Sequence, residues 1–198
     1  MTIELLAHKD QFISLESELK DNFKDIFKPI PHVNDLPMSE TAQIQLKDAY
    51  RTISTHTYPC PHQYKEAFQK LLQLQLDSGF IHPSNSCFTL PSFIIPEADK
   101  SVLPRWVCDY HQLNDNTVPD NFPIPCIDDI LANCAKGKIW ATIDMTDSFF
   151  QTYMHPDDIH KTALMTPFGL YKWMVMPMGF RNSPAIHQRR VTNAKIHW

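Results

Sequence analysis

At 198 residues the chain is long enough for one ordinary domain or two small ones, and 43% apolar residues mark it as globular. It has no apolar run near the roughly 18 residues a membrane-spanning helix needs and no basic-then-apolar leader, so a non-secreted, intracellular protein (cytoplasm or nucleus) is expected. Five cysteines, odd in number and without paired spacing, point to reduced thiols, and a net charge of −4 speaks against a nucleic-acid binder taken as a whole.

Sixteen prolines against four glycines give many fixed extended joints and few flexible ones. Phe12, Leu15, Leu19, Phe23 and Phe27 recur at spacings of three and four, which predicts an amphipathic helix over about residues 9–28, stopped by Pro29 and Pro31. Prolines 29, 31, 37, 59 and 61 leave an extended connector with a short strand at Ile44-Gln45-Leu46. Tyr64, Phe68, Leu71, Leu72 and Leu76 predict a second helix, opened after Pro61 and closed near Gly79. Residues 88–95 read as a strand whose Pro91 marks a bulge or an edge. Residues 105–110 are its partner across a loop from Pro96 to Pro104. An irregular segment over 116–125 precedes a short helix that starts at Ile127 and ends near Gly137.

Residues 138–143 are rich in β-branched and aromatic types and read as a strand. It ends on Asp144, with Asp147 three residues on. A carboxylate where a buried strand ends is held rigidly and still meets solvent. The plainer readings are an ordinary strand-end Asp144 and an Asp147 that N-caps the next turn. Residues 162–165 and 171–176 form a hairpin around Pro167-Phe168-Gly169, and Ser183-Pro184 supplies an N-cap and a first-turn proline for a final helix. Cys60-Pro61-His62 and Cys108 with His111 lack a matching second pair and do not read as metal sites. Charge is unevenly spread. Residues 159–198 hold six Lys or Arg and no acid, whereas the first 158 hold 12 basic and 22 acidic residues. The basic end suits a polyanion partner, or else a solvated helix face.

The order of these features is more specific than any one of them. Leu103-Pro104-Arg105-Trp106-Val107-Cys108-Asp109-Tyr110-His111-Gln112-Leu113-Asn114, residues 143–151, His155-Pro156-Asp157-Asp158, Thr166-Pro167-Phe168-Gly169-Leu170-Tyr171 and residues 176–191 follow one another. Together they resemble the reverse transcriptases of gypsy-type LTR retrotransposons, the fungal forms especially, over about residues 25–194. The resemblance implies an α+β right-hand polymerase fold. A helical and extended lead segment (1–61) would precede fingers and a partial palm (62–198), with palm elements at about 138–155 and 176–198. It further implies template-directed addition of deoxynucleotides to a primer 3′-OH, with an RNA or DNA template-primer and dNTP as partners and two Mg2+ ions as cofactor. Asp144 would be the first metal-binding carboxylate, beside the Met145 backbone carbonyl. Backbone amides near Asp147 and Ser148 would meet the triphosphate, and Phe149 would exclude a ribose 2′-OH. Arg105 would lie on the base and phosphates. Met178 would line the nucleotide, and Gly179, Gln188, Arg189 and Arg190 the template and primer side. The chemistry suits these types: Arg offers a planar donor fork that also stacks on a base, and two metal ions need several converging carboxylates.

Three departures qualify the resemblance. The family's aromatic-x-Asp-Asp hairpin should follow Gln188 and does not occur before Trp198. Asp128-Asp129 precedes Asp144 and fits the first turn of a helix, and Asp157-Asp158 follows a His-Pro turn, so neither pair replaces it. Glu97 stands where the family carries a lysine straight after the proline, with Lys100 nearby as a partial substitute. The ending Lys195-Ile196-His197-Trp198 does not continue the family helix, which suggests a frame change, a splice artefact or a degenerate copy. The expectation is a reverse-transcriptase fragment, separated from other polyprotein segments and inactive alone. The alternative is a non-catalytic nucleic-acid- or protein-binding remnant.

Overall fold

The computed structural model describes residues 13–24, 32–36, 40–56, 58–99, 102–137 and 144–195. The strand expected at 138–143 and the ending at 196–198 lie outside the described residues. Met1–Pro31 and His32–Trp198 are two separate compact units.

In the first unit, helix α1 (residues 13–22) places Leu15 and Leu19 in line with Phe23 at four-residue steps. Glu16 pairs with Lys20 at 2.6 Å and Asp21 with Lys24 at 2.9 Å.

The second unit is α+β. In chain order it contains β1 (Thr41–Ala42), α2 (Lys65–Asp77), β2 (Ile81–Pro83), β3 (Leu90–Ile95), β4 (Arg105–Cys108), α3 (His111–Asn116), α4 (Ile127–Cys134), β5 (Tyr153–Met154), β6 (Leu164–Thr166), β7 (Gly169–Trp173) and α5 (Ser183–Lys195). Among the described residues, one mixed sheet runs β2-β7-β6-β3-β4, parallel only between β3 and β6, and a separate parallel pair joins β1 to β5.

Helix α2 buries Phe68 and Leu72 and ends where the sequence placed its end. Gly79 takes φ +72°, and the N–H of Phe80 returns to the Gln75 carbonyl at 3.0 Å. A Cβ on Gly79 would stand 2.6 Å from Val33 Cγ1, so glycine is required twice over.

Pro91 does not mark an edge, because β3 lies between β6 and β4. It marks the point where β3 changes partner. Leu90 and Pro91 pair with β6, whereas Ser92 through Ile95 pair with β4, so the missing N–H interrupts neither ladder. The short strand expected at 44–46 does not form either. The Asp158 carboxylate accepts the Ile44 N–H at 2.8 Å, and Lys161 Nζ donates to the Ile44 carbonyl at 3.1 Å. Both backbone groups of Ile44 are thereby satisfied by side chains. Only Leu46 forms a bridge, to Thr117.

An aromatic ladder runs through the core. Phe68 meets Trp106 (5.4 Å), Trp106 meets Trp173 (5.8 Å), Trp173 stacks on Phe150 (5.0 Å, 20°), and Phe150 meets Phe80 (5.4 Å). Its Phe150 rung joins the sheet to the Asp144 segment. Ile127, Ile130 and Leu131 of α4 are exposed. Among the described residues no helix is long and apolar enough to cross a membrane.

Candidate active site

After Asp144 and Met145, residues 146–151 fold as a succession of turns. Thr152 N–H donates to the Phe149 carbonyl (3.1 Å), Phe150 N–H to the Asp147 carbonyl (2.9 Å), and Gln151 Nε2 to the Thr146 carbonyl (3.0 Å). Asp147 sits at φ +46°, a left-handed conformation that Asp tolerates better than most residues. Among the described residues its carboxylate makes no hydrogen bond, so the expected side-chain N-cap does not form. The backbone turn does that work instead.

Two adjacent phenylalanines point in different directions. Phe150 is buried in the aromatic ladder, and Phe149, half-buried, meets the His187 ring edge-on at 5.6 Å. Asp144 and Met145 are exposed and Ser148 is half-buried. Helix α5 fastens the back of the turn, where Arg190 Nη1 donates to the Gln151 carbonyl at 2.8 Å and to Thr152 Oγ1.

Arg189 reaches the other way. Its Nη2 lies 2.7 and 2.8 Å from the two oxygens of Asp120, and its guanidinium covers the Phe122 ring at 4.8 Å. Gln188 is half-buried and donates to Thr192 Oγ1 at 3.2 Å. The two arginines expected to face template and primer therefore have partners within the chain. Counting charge along the sequence could not reveal this, since Asp120 lies 69 residues away from Arg189. Ser183 also differs from expectation. It is the first residue of α5, and its hydroxyl donates to the Pro177 carbonyl at 3.0 Å rather than capping the helix.

Met178 and Gly179 lie on a loop laid against the end of β4. Gly179 has φ +85°, and its carbonyl accepts from Asn114 Nδ2 at 2.9 Å while Asn114 Oδ1 accepts from the Arg181 N–H at 2.8 Å. Asn114 is thus the latch that sets this loop. The sequence places it in a family segment but gives no local sign of that role. Met178 and the Arg181 side chain face solvent. Arg105 opens β4 on the rim of the sheet, 3.3 Å from Glu97 through Nε. Among the described residues no hydrogen bond or ion pair joins it to the Asp144 turn.

Two histidines are perturbed in opposite senses. Burial, and then the Arg190 charge, hold His187 below its ordinary pKa, and its buried Nδ1 has no hydrogen-bond partner among the described residues. His111 is raised by its hydrogen bond to Asp109 at 2.6 Å and then by that carboxylate's charge. Burial pushes Asp109 up, but the His111 N–H, its ring and the Tyr58 hydroxyl together keep the carboxyl below its usual value. His111 and Asp109 rim an apolar cleft of about 630 Å³ lined by Tyr58, Phe93, Ile94 and Val107.

For a metal, the described residues provide no convergence of three His, Cys, Asp or Glu side chains. Asp144 alone is one exposed carboxylate, fewer than a two-ion site needs.

The fold is that of the fingers and palm of retroviral-type reverse transcriptases. Prototype foamy virus protease-reverse transcriptase aligns over 93% of this chain and 24% of its own, with TM-score 0.72 and 22% identity. The foamy viral protein solved in complex with dsDNA aligns over 91% of this chain and 35% of its own, with TM-score 0.73 and 19% identity. The family model for reverse transcriptase (RNA-dependent DNA polymerase) matches residues 95–198, and the chain belongs to that family. Similar curated proteins are retrovirus-related Pol polyproteins of Drosophila melanogaster transposons. That of opus is 33% identical over 93% of this chain and 18% of its own length, and that of gypsy 30% identical over 89% and 18%. That of transposon 297 is 36% identical over 71% and 14%. The gypsy-type resemblance and the α+β polymerase fold read from the sequence are borne out. The family uses divalent metal ions. The chain spans less than a fifth of the length of these relatives.

Proposed function

We propose that this chain is the nucleotide-facing part, fingers and first palm elements, of an RNA-directed DNA polymerase from a gypsy-type retroelement polyprotein. The observation that carries the reading is the double anchoring of the 144–151 turn. Phe150 ties it to the aromatic core and Arg190 ties Gln151 and Thr152 to α5, a few residues from the exposed Asp144 and Met145 and next to Phe149. Such preorganisation is what a phosphoryl-transfer site requires of its ligands. In this reading Phe149, backed by His187, is the wall against a ribose 2′-OH, and the backbone around Asp147 and Ser148 meets the triphosphate. Arg105 and Met178 flank the nucleotide, with Gly179 and Gln188 toward the template. The cation of the parent enzyme is Mg2+. Asp144 supplies one of the carboxylates that two such ions need, so these 198 residues do not polymerise by themselves.

A primer–template duplex is the partner, supported by the foamy viral neighbours solved in complex with RNA/DNA hybrid and with dsDNA. Arg189 and Arg190 hold short internal bonds, whereas the exposed Arg181 reaches only the Asn114 carbonyl, at 3.5 Å through Nη1, so we assign the phosphate contact to Arg181, which makes binding weak and sequence-independent. Fluorescence anisotropy on a labelled primer–template should give a dissociation constant no tighter than roughly micromolar at physiological salt, falling away steeply as salt is added. Arg181→Ala should weaken it equally on unrelated sequences. Salt-independent binding would overturn the assignment. The exposed Ile127, Ile130 and Leu131 of α4 favour a second reading, a protein-binding remnant. In that case duplex would not bind.

A further inference from the structure

The β3–β4 hairpin closes with Ile95 opposite Arg105, and the chain then turns through Glu97. Glu97 Oε1 lies 3.3 Å from Arg105 Nε. Both side chains stand at the rim, Arg105 72% and Glu97 38% exposed, and among the described residues Glu97 is the only ion-pair partner of Arg105. A guanidinium binds phosphate through its planar fork of N–H donors, and the Nε edge is one side of that fork. A carboxylate already on that edge takes one of the donors a phosphate would use. It also places a negative charge beside the path of a polyanion.

We propose that Glu97 is an affinity-determining residue of the nucleotide site, an internal carboxylate that a triphosphate must displace from Arg105. The inference rests on the reading of Arg105 as a triphosphate contact. It adds that nucleotide binding here is self-limited by a carboxylate two residues past the end of β3. The two effects of Glu97, occupancy and repulsion, act in the same direction. Exposed pairs are screened by salt, so the restraint weakens as ionic strength rises. Because both residues are solvent-facing rim positions, their replacement leaves the aromatic core untouched.

The test is a titration of the full chain with two probes, a deoxynucleoside triphosphate and inorganic tripolyphosphate, followed by calorimetry or by displacement of a fluorescent analogue. The variants are Glu97→Gln, Glu97→Lys, Arg105→Gln and the Glu97→Gln/Arg105→Gln double. Glu97→Gln should bind both probes about two- to five-fold tighter at low salt, the range an exposed ion pair commands, and Glu97→Lys tighter still. The gain should shrink with added salt. Arg105→Gln should weaken both probes, and adding Glu97→Gln to it should recover less than the single substitution gains in the wild-type background. If Arg105→Gln weakens binding and Glu97→Gln equals wild type, the role of Glu97 is wrong and the reading of Arg105 stands. If Arg105→Gln binds both probes like wild type, the reading of Arg105 fails and the proposal falls with it. Matching thermal midpoints across the variants would exclude a folding artefact.

Discussion

Phe150→Ala should uncouple the candidate site from its scaffold, and the cost follows from the packing. Phe150 is 7% exposed, stacked on Trp173 at 5.0 Å and against Phe80 at 5.4 Å. A buried aromatic of this kind removes about 150–250 Å² from water, which at about 25 cal/mol per Å² is about 4–6 kcal/mol. Measured truncations of core Phe cost about 3–5 kcal/mol, and we expect that range. For a chain of this size the midpoint of thermal unfolding should fall by about 6–20 °C. Phe150→Leu keeps most of the volume and should cost less than about 1.5 kcal/mol. Phe149→Ala, at a half-buried position against His187, should cost under about 2 kcal/mol. Guanidinium denaturation followed by tryptophan fluorescence measures all three, since Trp173 is itself the stacking partner. The reasoning is refuted if Phe150→Ala costs less than about 1 kcal/mol, or no more than Phe149→Ala.

Asp120→Ala removes a partly screened ion pair to Arg189 together with the bond from the Phe122 N–H (3.0 Å). It should cost about 1–2 kcal/mol. A cycle with Arg189→Met should show coupling of about 0.5–1 kcal/mol, and additivity would deny that the pair clamps this loop to α5. In proton NMR, His111 should titrate above the ordinary histidine value of 6.5 and His187 below it, and Asp109→Asn should return His111 to normal. Because the folded His187 binds its proton less readily than the unfolded chain, its contribution to stability is complete above 6.5 and is lost as pH falls toward the folded value. Coincident midpoints for the two rings would contradict both environments. With Ile127, Ile130 and Leu131 exposed on α4, the isolated chain should unfold broadly or aggregate on heating. A sharp, reversible, monomeric transition would show that this face needs no cover.

Much of this structure is written locally. Pro61 and Gly79 bracket α2, and the turn at Pro167-Phe168-Gly169 sets the β6–β7 hairpin, because proline fixes φ and glycine alone readily takes the positive φ seen at Gly79 and Gly169. The candidate site was legible through the order of its segments. The motif order names Asp144, Phe149, Met178 and Gly179; the fold leaves Asp144 and Met178 exposed, sets Phe149 against His187 and ties Gly179 to Asn114. Distant pairing was hidden. The parallel match of Thr41 with Tyr153 is two residues long and joins distant parts of the chain, so no periodicity announces it. Pro91 was read as marking a bulge or an edge because a proline forbids one hydrogen bond, and nothing in the sequence says that β3 changes partner at that residue. The six residues of α3 are too few to show a helical stripe. Arg189 and Arg190 looked like free cations because their partners, Asp120, Gln151 and Thr152, come from other segments of the fold.

The central proposal is that this chain carries part of a polymerase's nucleotide site with too few carboxylates of its own to drive the reaction. Primer extension on an RNA template, with all deoxynucleotides and either Mg2+ or Mn2+, tests it most directly. The account predicts no template-dependent product from the 198-residue chain, even at protein concentrations where anisotropy shows the duplex bound. Product that requires both template and deoxynucleotide, and that disappears in Asp144→Asn, would contradict it, because Asp144 and the Met145 carbonyl would then suffice for chemistry that should need further carboxylates.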